Sequence, residues 1–427
     1  MGAEAPSVEL RTLGCKVNRS ESESLAESLA LLGISVSSTH APGAPDAIVV
    51  NTCTVTGEAD AKARKEVRRA LQATDGPVVV VGCLAAVDAE GLRALDPRVQ
   101  VEPDRRAVAG LVSSALGAAR HKIADDGSSL PRTRGRTRAL VKVQDGCDNR
   151  CTYCIVPDAR GVPRSESADA IIERVALLHA AGVAEIVLTG INIGRYTDPR
   201  AVDLAALIAR IGGTGVRRIR LSSIEPPDLD ARLIESLAVT PAVAPHLHVP
   251  LQSGCDRTLA AMGRHYDSAE FARILALARA RVPGLVVTTD IIAGFPGETD
   301  ADFEESVAFA AECGFAKLHV FRYSARTGTR AAAMSDQVPP RVRGERAGRL
   351  RELSDRAERA HELARHGTRA ALLVEEVRNG VCRGTTEDHL RVFADLPGAF
   401  AGDLVPVELR ATDEGVLRAY HVQEVAK

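Results

Sequence analysis

The chain has 427 residues, which is too long for one typical core and indicates two or three domains. Its 54 Lys and Arg residues are nearly balanced by 56 Asp and Glu residues, so the net charge of -2 excludes a general attraction to nucleic acid or membranes. No apolar run approaches the roughly 18 residues of a membrane helix, and the first residues lack a signal-peptide pattern, which predicts a cytoplasmic protein without membrane contact. Nine cysteines at uneven spacing indicate metal or catalytic thiols.

The first 118 residues alternate strand-like and helix-like segments, which predicts an α/β domain with a doubly wound parallel sheet. Strands are expected at 8–13, 47–50 and 77–81. A cysteine follows each strand within three residues, and these cysteines are Cys15, Cys53 and Cys83. Because the carboxyl ends of such strands share one crevice, the three thiols are expected to converge. Buried core cysteines and a zinc site are the alternatives, although no fourth Cys or His stands at zinc spacing.

A change of pattern near residue 119 predicts a linker at 119–136 with a basic end. Arginines occupy every second position at its end and just beyond it, at Arg132, Arg134, Arg136 and Arg138. Arginines spaced in this way are typical of a solvated linker, and an arm that contacts a phosphate backbone is the second interpretation.

Three more thiols, Cys147, Cys151 and Cys154, fall within eight residues, directly after a strand expected at 140–143. Three thiolates on one loop can hold a four-iron cluster by three corners, which leaves the fourth iron without a protein ligand. The loop is therefore predicted to be a site of chemistry at the carboxyl end of a strand.

The central segment then repeats a strand–helix rhythm of about six units, which predicts a partial (β/α)6 barrel, since a complete barrel of eight units needs about 250 residues. The further strands are expected at 185–190, 218–223, 246–251, 286–292 and 317–321. Small and polar residues follow several of these strands, as in Gly190, Asn192, Ser222, Ser223, Glu225, Gln252 and Ser253. Because the carboxyl face of such a barrel carries the active site, these residues predict a pocket for a polar ligand with an amine, a carboxylate and a ribose.

The C-terminal part begins with a long arginine-rich helix at about 340–366, which is read as a solvated helix face or as a ridge facing RNA. Short strands are then expected at 371–377, 390–393, 404–409 and 416–422. They predict a small antiparallel β-barrel at 366–427, of a size that often binds oligonucleotides.

The spacing Cys147-x3-Cys151-x2-Cys154, with Tyr153 before the third cysteine, resembles the radical S-adenosylmethionine enzymes. Within them, nearly the whole chain is similar to the tRNA methylthiotransferases. The resemblance implies a methylthiotransferase domain with an auxiliary cluster at 1–118, the basic linker at 119–136, a radical domain at 137–365 and a barrel similar to the RNA-binding TRAM domain at 366–427. Two motifs, Leu13-Gly14-Cys15-Lys16-Val17-Asn18 and Asn51-Thr52-Cys53-Thr54-Val55-Thr56, are similar to the branch that acts on N6-threonylcarbamoyladenosine beside the anticodon.

The resemblance implies two 4Fe-4S clusters and S-adenosylmethionine as cofactors. The radical-forming cluster is implied at Cys147, Cys151 and Cys154, and the cluster that carries the inserted sulfur at Cys15, Cys53 and Cys83. The S-adenosylmethionine pocket is implied at Tyr153, Gly190, Asn192, Ser222, Ser223, Glu225, Gln252, Ser253 and Asp290. A deoxyadenosyl radical would take hydrogen from C2 of the adenine, and a methylated sulfur would replace it. The implied partners are tRNA, an electron donor such as flavodoxin or ferredoxin, and a sulfur donor, for a monomeric enzyme.

Three alternatives remain at this point. A methylthiotransferase of the same build could act on an isopentenyl-type tRNA adenosine, or on an aspartate of a ribosomal protein. The aspartate branch usually has proline directly after the first cysteine, whereas Lys16 follows Cys15 here. A zinc-stabilised RNA-binding protein would need no catalysis. Cys255, Cys313 and Cys382 are expected to be ordinary small hydrophobic residues, and the segment Thr386-Glu387-Asp388-His389 departs from the pattern of the family's terminal barrel.

Overall fold

The computed structural model describes residues 5–37, 43–117, 137–412 and 416–422. The chain packs into two units, and the first takes its described residues from Met1–Pro131, Asp145–Arg164 and Ser324–Ala332. The second takes its described residues from Arg132–Gln144, Ser165–Tyr323 and Ala333–Lys427. The three-cysteine loop therefore packs in the same unit as the N-terminal sheet. The basic linker expected at 119–136 lies outside the described residues.

The first unit is built on a five-stranded parallel sheet with strand order β2-β1-β3-β4-β5. The strands are β1 (Ser7–Thr12), β2 (Ser35–Ser37), β3 (Ala47–Thr52), β4 (Val78–Gly82) and β5 (Val99–Val101). The helices are α1 (Lys16–Leu31), α2 (Gly57–Ala73), α3 (Cys83–Val87), α4 (Ala89–Arg93), α5 (Val108–Ala115) and α6 (Val156–Arg160). Apolar side chains cover both faces, since Ile48 and Val50 join one buried cluster and Val49 joins another. This confirms the doubly wound sheet, and the structure adds the short edge strands β2 and β5.

Local chemistry explains why the chain turns from strand to helix close to each cysteine. Thr56 caps α2 by accepting a hydrogen bond from the backbone N–H of Ala59 at 3.1 Å. Gly82, directly before Cys83, has a φ of +93°, and a Cβ there would lie 2.4 Å from the carbonyl oxygen of Thr52. Only glycine fits that turn, so β4 ends there and the cysteine starts a helix at the carboxyl edge of the sheet.

The second unit contains six parallel strands in chain order. They are β6 (Arg138–Lys142), β9 (Glu185–Thr189), β10 (Arg218–Leu221), β11 (His246–His248), β12 (Val286–Ala293) and β13 (Lys317–Arg322). Between β6 and β9 the chain also forms two strands of two residues, β7 (Gln144–Asp145) and β8 (Arg164–Ser165). One ladder joins β6, β9 and β10, and a second joins β11, β12 and β13. A backbone hydrogen bond of 2.8 Å from Ala244 to Ile219 links the segment before β11 to β10.

Helices follow the strands of the second unit and cover one face of them. They are α7 (Ala168–Ala180), α8 (Leu204–Gly212), α9 (Ala231–Val239), α10 (Asp256–Ala261), α11 (Ser268–Arg281), α12 (Asp300–Glu312) and α13 (Pro340–Ala364). Ile186 and Leu188 of β9 pack in the large buried cluster with residues of these helices. The alternation of six strands with helices confirms the predicted partial barrel. Within the described ranges, no helix has the length and apolar character needed to cross a membrane.

The chain of the second unit ends in a closed five-stranded β-barrel with strand order β14-β15-β16-β18-β17. Its strands are β14 (Arg369–Arg378), β15 (Val381–Thr385), β16 (Arg391–Asp395), β17 (Leu404–Ala411) and β18 (Leu417–His421). The predicted small barrel is confirmed, with β15 as an additional strand, but it is not wholly antiparallel, because β16 pairs with β18 in parallel. Gly384 of β15 sits where a Cβ would lie 2.3 Å from the carbonyl oxygen of Leu373, so the close approach of two strands requires glycine.

The loop at 386–389, which departs from the family's pattern, packs inside the second unit. Arg220 donates hydrogen bonds to the carbonyl oxygens of its first two residues, both at 3.0 Å. Asp388 is buried, and the ring of His389 stacks on that of His246 with centroids 5.0 Å apart. The loop therefore contacts β10 through two backbone carbonyl groups and β11 through the His389 ring.

Candidate active site

The three strand-end cysteines of the first unit lie at the carboxyl ends of the neighbouring strands β1, β3 and β4. Cys15 is exposed, whereas Cys53 and Cys83 are buried. Burial raises the pKa of the Cys53 thiol, and charges on Cys83 and Cys15 raise it further, so the three sulfurs are electrostatic neighbours. The backbone N–H groups of Val55 and Thr54 donate to the Cys53 sulfur and lower its pKa. Such donors favour a thiolate, the form of cysteine that binds metal.

A buried arginine completes the surroundings of Cys83. Arg160, at the end of α6, is 4% exposed and donates its Nε–H to Cys83 Sγ at 3.2 Å. Its other nitrogens donate to Glu21 Oε1 at 2.9 Å, to Asp145 Oδ1 at 2.8 Å and to Asn18 Oδ1 at 2.6 Å. The helix that follows the three-cysteine loop thus contributes a cation to the strand-end cysteines.

The three-cysteine loop brings Cys147, Cys151 and Cys154 into half-buried positions, and Tyr153 is half-buried as well. The backbone N–H of Cys147 donates to the carbonyl oxygen of Gly161 at 3.1 Å, which closes the loop onto the residue after α6. The N–H of Cys154 donates to the carbonyl oxygen of Cys151, also at 3.1 Å. The second and third cysteines are therefore held by one tight turn.

Both thiol sets suit a four-iron cluster by the chemistry of their donors. Each set offers three cysteines, which match three corners of such a cluster and leave one iron open. Thiolate charge is balanced at the strand-end set by the Arg160 guanidinium and by backbone N–H groups. Tetrahedral zinc would take a fourth protein ligand or a water molecule.

In the second unit, one buried glutamine fixes the turn after β9. Gln144 Oε1 accepts hydrogen bonds from the backbone N–H of Ile191 at 3.1 Å and of Asn192 at 2.8 Å. A Cβ on Gly190 would lie 2.8 Å from the carbonyl oxygen of Gln144, so the two segments touch through backbone. Gly190 and Asn192, both predicted as pocket residues, are thereby held at the carboxyl edge of the strands.

Several polar atoms at this edge are buried with no hydrogen-bond partner among the described residues. They are both side-chain polar atoms of Asn192, Ser222 Oγ and Thr189 Oγ1. Asn192 is 3% exposed, and a buried polar group without a partner costs about 1–3 kcal/mol. A bound polar molecule that hydrogen-bonds these atoms would offset that cost, so the residues fit S-adenosylmethionine.

Acidic side chains lie near the same edge. Glu225 pairs with Arg264, and burial nevertheless raises the pKa of Glu225, to which the nearby charge of Asp290 adds. Asp290 Oδ1 lies 3.1 Å from His248 Nε2, and His248 Nδ1 lies 2.9 Å from Thr288 Oγ1. Glu225, four residues past the end of β10, and Asp290 of β12 are thus electrostatic neighbours.

The remaining predicted pocket residues have different surroundings. Gln252 adopts a φ of +63°, and its N–H donates to the carbonyl oxygen of Asp290 at 2.8 Å, so its backbone is fixed beside β12. Ser253 is buried, and its hydroxyl lies 2.8 Å from that of Ser306 on α12. Ser223 is half-buried at the end of β10. The role of each of these residues stays a prediction.

Sequence reasoning missed Gln144, Arg160 and His248. Gln144 stands two residues past β6, so the same strand-end rule that selected Asn192 would have found it. His248 ends β11 but lies inside the strand expected at 246–251, so the strand-end rule points past it to Gln252 and Ser253. Arg160 carried no signal, because its role depends on how α6 packs.

Residues 141–310 match the family described as the Radical SAM superfamily, and residues 7–102 match the family described as Uncharacterized protein family UPF0004. With the six parallel strands and the three-cysteine loop, these matches define a radical S-adenosylmethionine enzyme. The Bacillus subtilis protein named threonylcarbamoyladenosine tRNA methylthiotransferase MtaB is 36% identical, over 94% of this chain and 93% of that protein. The chain therefore belongs to the radical S-adenosylmethionine tRNA methylthiotransferase family, which implies a 4Fe-4S cluster and S-adenosylmethionine.

The chain is also similar to a relative with a different name and to a solved structure. The Sorangium cellulosum protein named tRNA-2-methylthio-N(6)-dimethylallyladenosine synthase is 37% identical, over 87% of this chain and 82% of that protein. The structure of the radical S-adenosylmethionine methyltransferase TsrM from Kitasatospora setae has a TM-score of 0.57 at 16% identity, over 77% of each chain. The first shows that relatives named for two different modified adenosines are about equally similar to this chain, and the second supports the fold alone.

Proposed function

We propose that this enzyme inserts a methylthio group at C2 of N6-threonylcarbamoyladenosine at position 37, next to the anticodon of tRNA. The observation that carries the proposal is the meeting of Cys15, Cys53 and Cys83 at one edge of the N-terminal sheet, in the unit that also holds the three-cysteine loop. Such an enzyme needs one site that generates a radical and one that supplies sulfur. Two sets of three thiols meet that need.

Cys147, Cys151 and Cys154 would hold the cluster that, with S-adenosylmethionine bound, supplies the deoxyadenosyl radical. In the second unit, Gln144 holds the turn that presents Asn192, and the unpartnered atoms of Asn192 and Ser222 are suited to hydrogen-bond the cofactor. Gly190, Ser223, Glu225, Gln252, Ser253 and Asp290, all of the second unit, complete the proposed pocket. An electron donor such as flavodoxin or ferredoxin would serve this site.

Cys15, Cys53 and Cys83 would hold the second 4Fe-4S cluster, which supplies the sulfur. The exposed position of Cys15 leaves this edge open on one side, while Cys53 and Cys83 are enclosed. A sulfur donor would replenish the site after each turnover. A second molecule of S-adenosylmethionine would supply the methyl group.

The terminal barrel is the proposed RNA-binding part. Phe393 of β16 is 49% exposed, and its direct cross-strand neighbours are Arg383 of β15 and Arg418 of β18. The guanidinium of Arg410 lies over the ring of Tyr420 at 5.7 Å. An aromatic side chain between two arginines can stack on a base while the cations contact phosphates. This basic-aromatic face consists of Arg383, Phe393, Arg410, Arg418 and Tyr420, on the outer surface of the barrel.

The branch acting on N6-threonylcarbamoyladenosine is favoured by the Bacillus subtilis relative and by the motif from Leu13 to Asn18. In the structure, Asn18 is buried, donates to the carbonyl oxygens of Leu13 and Thr52 and accepts from Arg160, so this motif shapes the strand-end cysteine site. An isopentenyl-type adenosine is the second candidate, because the Sorangium cellulosum relative carries that substrate in its name.

The proposal is tested with protein purified and reconstituted without oxygen, supplied with S-adenosylmethionine and a reductant. Three versions of one tRNA anticodon stem-loop are offered, with threonylcarbamoyladenosine, dimethylallyladenosine or plain adenosine at position 37. We expect about eight irons per chain and a methylthio product from the threonylcarbamoyl substrate only. A product from the dimethylallyl substrate alone would favour the isopentenyl-type adenosine as the substrate instead. An iron content of about four per chain would contradict the second cluster.

A further inference from the structure

Arg160 occupies an unusual position for a buried arginine, because it contacts a cysteine as well as carboxylates. Its Nε–H points to Cys83 Sγ at 3.2 Å, while its two terminal nitrogens serve Glu21, Asp145 and Asn18. Every nitrogen of the guanidinium therefore has an acceptor. The planar fork fixes the direction of the Nε–H, which a lysine ammonium at the same position could not do.

The carboxylates hold the guanidinium in place and keep it charged. Burial opposes the charge of Arg160, but Cys83, Glu21 and Asp145 raise its pKa well above the ordinary value. Glu21 also binds Arg105 Nε at 3.1 Å, and Arg105 Nη2 lies 3.6 Å from Cys83 Sγ. Two guanidinium groups thus face one sulfur, with Arg160 the nearer.

The other two sulfurs of the set have different neighbours. Cys53 accepts from backbone N–H groups, and the exposed Cys15 donates to Asn18 Oδ1 at 3.7 Å. The same Asn18 oxygen accepts from Arg160. Arg160 is therefore in direct contact with one thiol of the set and linked to a second through a single side chain.

We propose that Arg160 is a positioning residue for the second cluster, fixing the Cys83 ligand and raising the reduction potential of the cluster that Cys83 helps to hold. The inference rests on the second cluster proposed above. Hydrogen bonds to sulfur and nearby positive charge stabilise the more negative, reduced state of an iron–sulfur cluster, so they raise its potential. Arg160 lies on α6, which directly follows the three-cysteine loop. The residue that sets the potential of the second cluster is therefore in the same segment as the ligands of the other cluster.

The test measures the potential of the second cluster by itself. In the full-length chain, Cys147, Cys151 and Cys154 are changed to Ala, so that only the second cluster contributes to an EPR-monitored redox titration. Into this background are placed Arg160→Lys, which keeps a positive charge but removes the Nε–H, and Arg164→Lys as a matched control. Arg164 lies after α6 with its side chain 57% exposed, 3.9 Å from Asp145.

We expect Arg160→Lys to keep its iron and sulfide content but to become about tenfold harder to reduce, a shift of about 59 mV to more negative potential for one electron. Arg164→Lys should titrate like the background. If Arg160→Lys loses iron, Arg105→Lys, which leaves the Arg160 fork intact, should show a smaller shift in the same direction.

An unchanged potential in an Arg160→Lys protein with full iron would overturn the inference while leaving the second cluster in place. An Arg105→Lys protein with an unchanged potential would overturn it where Arg160→Lys cannot hold iron. A background protein without iron would overturn the second cluster itself. The iron count and the potential thus separate failure of the proposed function from failure of this inference.

Discussion

Replacing Glu185 by Gln should loosen the attachment of the terminal barrel to the strands of the second unit. Glu185 is fully buried on β9 and pairs with Arg218 at 2.5 Å and with Arg220 at 3.1 Å. Arg218 in turn donates to the carbonyl oxygens of Ala371 and Thr385 in the barrel. One carboxylate therefore organises the arginines that hold the barrel.

The size of the effect follows from the pKa of Glu185. Burial raises this pKa, but Arg220, Arg218 and Arg138 outweigh burial and lower it from 4.5 to about 2. A pKa that falls on folding marks stabilisation that is complete above pH 4.5 and is lost as the pH falls toward 2. The fall corresponds to about 3 kcal/mol at neutral pH, in the range of about 3–5 kcal/mol for breaking a buried ion pair.

Thermal unfolding at pH 7.5, followed by circular dichroism without oxygen, measures this loss. For a unit of this size we expect Glu185→Gln to lower the Tm by roughly 6–12 °C. Glu173→Gln, the same change on the exposed face of α7, is the control and should leave the Tm unchanged. Hydrogen exchange should also become faster in residues 369–389. A Tm within 2 °C of the parent protein, with unchanged exchange in that segment, would refute the reasoning.

The remaining predictions concern the proposed sites. Cys147→Ala should abolish cleavage of S-adenosylmethionine, whereas Cys53→Ala should retain cleavage and lose sulfur insertion; equal loss of cleavage in both variants would contradict the division of roles. Gln144→Met should weaken S-adenosylmethionine binding by about 1–2 kcal/mol in equilibrium dialysis, because two backbone N–H groups lose their acceptor, and unchanged binding would speak against the turn as a pocket wall. Phe393→Ala should weaken tRNA binding by about 1–3 kcal/mol in filter binding, while Phe400→Ala, at a side chain 73% exposed, should not; equal effects would exclude the basic-aromatic face.

The sequence predicted the larger elements of both units because their patterns are local. Continuous apolar runs such as 47–50 and 78–81 mark buried parallel strands, and the strand-end rule brought Cys15, Cys53 and Cys83 to one edge. The short edge strands β2 and β5 have three residues each, too few for a period to show. Strand β15 was missed because Gly384 weakens a strand pattern, and only the packing of the closed barrel explains why glycine stands there.

Long-range packing explains what the sequence left out of the candidate site. Arg160 lies far along the chain from Glu21 and Cys83, and nothing in its local sequence distinguishes it from the many exposed arginines. The loop at 386–389 was noticed only as a departure from a pattern, and its contacts with Arg220 and His246 supply the reason. The sequence shows which residues are charged, but only the folded structure shows which residues they contact.

The most direct test of the account is mass spectrometry of nucleosides from the tRNA of the source organism, with the gene intact, deleted and restored on a plasmid. The account predicts that the methylthio form of threonylcarbamoyladenosine disappears on deletion, that threonylcarbamoyladenosine without the methylthio group accumulates, and that the restored gene reverses both changes. Restoration with Cys147→Ala or Cys53→Ala should fail. An unchanged level of the methylthio nucleoside in the deletion strain would contradict the proposed substrate.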